Sequence, residues 1–197
     1  MEQRGLENAS VTFMNAKHLG FPAGTFDVAL CGFMGWYDCF DFVQFAFTQP
    51  DTKAKEIRRV LEDGGRFVCC SWEEQEDLAW MEEAILRHYP AILRDDEYLE
   101  RRPIGMAYEK AEGYEIIMQS AGFQSIEVAK ETMTFLSTDE EEWWRQMLHL
   151  GWDSLIEKIE TGELQRVKEA IFQDLQSYKQ ADGLHFRKVV FFVSAVK

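Results

Sequence analysis

Two stretches of the chain are apolar on consecutive positions rather than alternating. Phe26-Asp27-Val28-Ala29-Leu30-Cys31 is entered through the turn residues Pro22, Gly24 and Thr25, and Arg66-Phe67-Val68-Cys69-Cys70-Ser71-Trp72 through Gly64-Gly65. Val11-Thr12-Phe13-Met14 is a shorter run that ends at Asn15-Ala16. Strands apolar on both faces belong in a buried, parallel sheet. Between the two longer runs, Ala54, Ile57, Val60 and Leu61 form an apolar stripe at helical spacing. Asp51 or Thr52 can cap its start, and Gly64 suits a left-handed exit. Strand, helix, strand at this spacing predicts a βαβ unit with a right-handed crossover.

The second half reads as more helical. Helices are predicted over 78–88 and 112–120, the latter stopped by Gly122. Ile126 to Phe135 alternates as an edge strand would. Ser137 with Glu140, or Thr138 with Glu141, has capping-box spacing ahead of a helix carrying Trp144, Leu148, Leu155 and Ile159. A helix over 164–178 follows, and Gly183 opens a last strand over 186–196. The pattern shows no internal repeat and no linker, so 1–197 reads as one domain, with 138–182 a helical segment.

Composition narrows the function. The 197 residues are 46% hydrophobic and carry a formal charge of −14, and basic residues cluster only in pairs such as Arg58-Arg59. Such a surface repels polyanions, which argues against nucleic-acid and anionic-membrane partners. No apolar run is long enough to span a bilayer. The four cysteines form no CxxC pair and have no histidine at zinc spacing, so no metal site is expected and the chain reads as cytoplasmic. His18, His88, His149 and His185 have no carboxylate, serine or cysteine at a recognisable catalytic spacing, and no catalytic residue is assigned. The acidic runs 73–77 and 139–142 suit helix N-termini.

Read in order, Val11 to Pro22, Gly24-Thr25-Phe26-Asp27-Val28-Ala29-Leu30-Cys31, the run from Glu56 to Val68 with Arg59-Val60-Leu61-Glu62-Asp63-Gly64-Gly65, and Ala121-Gly122-Phe123 resemble the class I S-adenosylmethionine (SAM)-dependent methyltransferases. The match is closest to the small-molecule type, similar to the ubiquinone/menaquinone-biosynthesis methyltransferase group. The resemblance implies an α/β Rossmann-like sheet, mostly parallel with an antiparallel last strand, flanked by helices and with a helical insertion before that strand. It also implies SAM as cofactor and a small-molecule methyl acceptor. The cofactor would lie against Asn15, Ala16, Cys31, Gly32 and Phe33, with Asn15 at the position usually held by an Asp that accepts from the adenine amino group. The aromatic stretch that includes Met34, Trp36 and Tyr37 either lines the acceptor pocket or packs as core. The resemblance implies that the insertion, 138–182, can serve as a substrate cap, so Trp143, Trp144 and Trp152 fit a cap or a core.

The family's first two strands and Gly-rich loop have no counterpart here, so the resemblance implies an N-terminally truncated domain. In the family's strand order, 3-2-1-4-5-7-6, the strand at Phe26 then has a bare edge. The remedies are a longer chain, direct pairing with the Val11 strand, or a homodimer through that edge. A non-catalytic binding or oligomerisation module that has lost the cofactor site is the alternative reading.

Overall fold

The computed structural model describes residues 8–33, 40–41, 46–47, 52–94 and 110–197. Strand β1 (Phe26–Gly32) pairs in parallel with β4 (Leu61–Gln75). β4 pairs antiparallel with β7 (Gly183–Val196), and β7 antiparallel with β5 (Gln124–Ser137), giving the order β1-β4-β7-β5. The short β6 (Lys179–Gln180) pairs with the start of β7, and β2 (Phe40–Asp41) pairs with β3 (Ala46–Phe47). This is the order expected for the last four strands, with the final strand antiparallel to both neighbours.

The helix between β1 and β4, α1 (Thr52–Val60), forms where the stripe predicts it. Ala54, Ile57 and Val60 are buried, and Arg58-Arg59 place positive charge at the C-terminal end of its dipole. The turn into β4 depends on two glycines. Gly64 has φ +83°, and a Cβ on Gly65 would lie 2.9 Å from the Glu62 carbonyl oxygen and 3.1 Å from that of Asp27.

Two cores lie on opposite faces of β7, because strand residues alternate in direction. Phe191, Val193 and Ala195 face α1 and α3 (Ala111–Ser120), packing with Ile57, Leu61, Phe67, Tyr114 and Ile117. Leu184 and Phe186 face the other way, toward α2 (Glu76–His88), the 3₁₀ turn Pro90–Arg94, α4 (Glu140–Met147) and α6 (Thr161–Leu175). A π-helical turn (Leu148–Trp152) and α5 (Asp153–Ile156) connect α4 toward α6. Trp143 and Trp144 belong to this second core, with Trp143 stacked on Phe186 at 5.9 Å.

Three expectations need correction. Val11 to Met14 forms no strand: Val11 and Phe13 are exposed, and the segment ends in a turn bridged by Asn15 and His18. Its β propensity has no described neighbour to pair with, and β1 is the outermost strand among the described residues. The capping box before Trp143 is shifted. Asp139 accepts from the Glu142 N–H at 2.8 Å, while Glu142 accepts from the Thr138 N–H at 2.7 Å. Asp wins over Ser and Thr because its charged oxygen is the better acceptor at a helix N-terminus. Finally, two histidines do have carboxylate partners, brought from outside any local motif or by a turn: His88 to Asp174 at 2.9 Å and His185 to Asp182 at 2.8 Å. Asp174 also binds Arg87 at 2.6 Å, so that carboxylate clasps α2 to α6, and its pKa is held low first by the His88 hydrogen bond.

Candidate functional site

In an open α/β sheet, ligands bind beyond the carboxyl ends of the parallel strands. Here those ends are Cys31-Gly32-Phe33 after β1 and the Cys70 to Trp72 part of β4. Cys31 pairs with Cys69 and Gly32 with Cys70, and the Phe33 N–H donates to the Cys70 carbonyl at 2.8 Å. Gly32 is exposed, and a Cβ there would meet only Cys70 Sγ at 3.7 Å, an ordinary contact. Neither packing nor a left-handed φ requires glycine at this position. Phe33, by contrast, is held at φ +55°, a region costly for a bulky side chain. Its ring is half exposed and lies 4.8 Å from that of Trp72.

Trp72 extends this wall across the sheet. Its ring meets Phe135 of β5 edge-on at 5.8 Å, and Lys188 Nζ sits over both rings, 5.4 Å from Trp72 and 4.7 Å from Phe135. Lys188 is paired with Asp77 at 2.6 Å, with both side chains almost fully buried. Sequence reasoning missed this group. The available signal was a lysine directly ahead of the apolar run 189–193. The acidic run 73–77 does more than favour a helix N-terminus. Glu73 binds Lys130 at 2.8 Å, Glu74 pairs with Arg187, and Glu76 accepts from the Arg187 N–H at 2.6 Å. The run stitches the start of α2 to β5 and β7.

Of the other expected site residues, Asn15 and Ala16 lie in the 15–18 turn. The Asn15 side-chain oxygen accepts from the Lys17 N–H at 2.9 Å, which leaves one of its two lone-pair directions. The chain that follows is fastened to α1. Glu56 accepts from the Leu19 N–H at 2.8 Å, and Arg59 donates to the Leu19 and Phe21 carbonyls at 2.9 Å each. Arg59 also holds the Glu56 carboxyl well below its ordinary pKa, down to about 2. Met34, Trp36 and Tyr37 lie outside the described residues. Burial raises the thiols of Cys31 and Cys69, the latter to about 12, which makes both poor nucleophiles. Among the described residues, no cluster of His, Cys, Asp or Glu could hold a metal, and no helix is long and apolar enough to cross a membrane.

Residues 2–69 match the profile of a methyltransferase domain family. The whole chain also superimposes on solved structures of related architecture. A candidate methyltransferase of Bacillus halodurans C-125 aligns over 74% of its own chain at 18% identity, with TM-score 0.52. The YcgJ protein of Bacillus subtilis aligns over 74% of its chain at 12% identity, with TM-score 0.54. The fold is that of the class I methyltransferases. The chain spans about three-quarters of the length of those two structures. No match was found among curated protein sequences. Within the fold, Gly32 and Phe33 stand at the carboxyl end of the parallel pair β1–β4, and Trp72 is on the neighbouring strand.

Proposed function

We propose that this chain takes part in SAM-dependent methyl transfer to a small-molecule acceptor. The observation that carries this reading is Gly32. Glycine at the carboxyl end of β1, where neither φ nor packing calls for it, fits a backbone approached closely by a ligand. Bound SAM would supply an electrophilic methyl group. The contribution of the chain is positional. Cys31, Gly32 and Phe33 would bound the methionyl side of the cofactor, and Asn15 with Ala16 the adenine side. The Phe33–Trp72 wall keeps water off one flank and offers a flat apolar surface to the acceptor. Met34, Trp36 and Tyr37 are assigned to the acceptor pocket on sequence grounds. The 138–182 segment is assigned as a cap over it.

The residues present fit only part of the cofactor. The sequence has no Gly-x-Gly turn to receive the carboxylate of SAM, so weak binding is expected. Saturation-transfer NMR with S-adenosylhomocysteine tests this directly, because it reads weak complexes. Transfer to the adenine protons is expected, and its absence at millimolar ligand would sink the reading. That outcome would favour a non-catalytic module, whose melting temperature the ligand would also leave unchanged.

A further inference from the structure

The contact between Phe33 and Trp72 is the last in a series that starts in the helical layer. In the first turn of α2, Asp77 accepts the Leu78 N–H on Oδ1 at 3.0 Å and pairs through Oδ2 with Lys188 Nζ of β7 at 2.6 Å. That ammonium lies over the rings of Trp72 and Phe135, 5.4 Å and 4.7 Å from their centroids. Trp72 in turn lies 4.8 Å from Phe33, the two rings tilted by 34°. The register of β4 on β7 shifts between Trp72 and Glu74, and a bulge of this kind re-aims the side chains beside it.

Phe33 requires such support. At φ +55° its backbone is left-handed, and a bulky residue stays there only when its surroundings over-determine it. The bond from its N–H to the Cys70 carbonyl at 2.8 Å fixes the amide but not the ring. Trp72 packs against the ring, and Lys188 against Trp72. Stability alone does not account for a charged pair in this place. Exchanging a buried ion pair for apolar side chains of similar volume is often neutral or stabilising. An ammonium, however, is drawn to the faces of the rings beside it, an attraction that an apolar side chain lacks.

We propose that Lys188, oriented by Asp77, is a positioning residue that acts through Trp72 to hold Phe33 in its left-handed conformation at the carboxyl end of β1. What Phe33 meets there rests on the methyl-transfer reading. The hold itself rests on the contacts alone.

NOE spectroscopy of the isotope-labelled full chain tests the hold. A positive φ brings a residue's own amide and α protons close together, which gives a strong intraresidue cross-peak. Wild type should show that cross-peak at Phe33. Asp77→Leu/Lys188→Met removes both charges and keeps volume. Its urea midpoint should stay near wild type while the Phe33 cross-peak weakens to the level of its neighbours in β1. Trp72→Leu leaves the ion pair in place and interrupts the series one contact later, so it should weaken the cross-peak too, even if the double variant does not fold. Asp174→Asn loosens the clasp at the opposite end of α2 and should leave the cross-peak as in wild type. If the held conformation falls to about a tenth of the molecules, affinity for S-adenosylhomocysteine falls about tenfold. A strong Phe33 cross-peak retained in either folded variant would overturn the proposal, as would its absence from wild type. An unchanged affinity in a variant that has lost the cross-peak would overturn the positioning role. A wild type that shows the cross-peak but binds no S-adenosylhomocysteine would sink the methyl-transfer reading and leave the hold standing.

Discussion

Removal of Asp77 should be among the most destabilising single changes in the protein. Its carboxylate lies 2.6 Å from Lys188 Nζ, and the two side chains are 5% and 6% exposed. Asp77 sits in the first turn of α2 and Lys188 in β7, so the pair joins the helical layer to the sheet. In Asp77→Ala the ammonium stays buried between Trp72 and Phe135, where the rings offset only part of its lost hydration. Breaking a buried pair from one side typically costs about 3–5 kcal/mol. For a chain of this length that corresponds to a fall in Tm of about 6–20 °C. The double variant Asp77→Leu/Lys188→Met removes both charges and keeps volume, so it should recover most of the loss. The assay is urea unfolding of wild type, both single variants and the double variant, followed by circular dichroism and tryptophan fluorescence. A strongly non-additive cycle is expected, with the double variant close to wild type. An Asp77→Ala cost below about 1 kcal/mol would refute the reasoning, because a solvated or loosely held pair behaves that way.

Glu56 provides a pH prediction. Its carboxyl is shifted down from 4.5 to about 2, first by the Arg59 hydrogen bond. A depressed folded pKa contributes stability above the unfolded value and loses it as pH falls from 4.5 toward 2. Glu56→Gln should therefore flatten the decline of Tm across that window in a pH series, and an unchanged slope would exclude the pairing. Trp143 is fully buried, and its indole N–H has no hydrogen-bond partner among the described residues. Trp143→Phe keeps the stack on Phe186 and removes the unsatisfied donor, so its urea midpoint should stay within about 1 kcal/mol of wild type. Trp143→Ala leaves a cavity and should lose about 3–5 kcal/mol.

The sheet order was legible because β1, the buried end of β4 and β7 are nearly continuous apolar runs, and because the Gly64-Gly65 turn and the α1 stripe set the first crossover. Val11 to Met14 misled for a related reason. β-branched and aromatic residues indicate compatibility with a sheet, but a strand also needs a neighbour, and none of the described strands pairs with it. The shifted capping box reflects a contest between three adjacent acceptors that spacing alone does not decide. At the site, Gly32 and Phe33 could be placed by their position after an apolar strand. The left-handed backbone of Phe33 could not, since no residue type marks it. The Trp72–Phe135–Lys188–Asp77 group draws on three stretches far apart in sequence, and the registers of β4 and β5 on β7 bring them together. The carboxylate partner of His88 was hidden in the same way, 86 residues further along the chain.

The carboxyl end of β1 is proposed as a ligand-facing surface for the methyl donor. An amide-resolved NMR titration of the ¹⁵N-labelled chain with S-adenosylhomocysteine locates the ligand as well as detecting it. Shifts are expected to be confined to Asn15, Ala16, Cys31, Gly32, Phe33 and their neighbours, and to be lost in a folded Gly32→Val variant. Shifts elsewhere, such as around His88 and Asp174, or shifts that survive Gly32→Val unchanged, would contradict it.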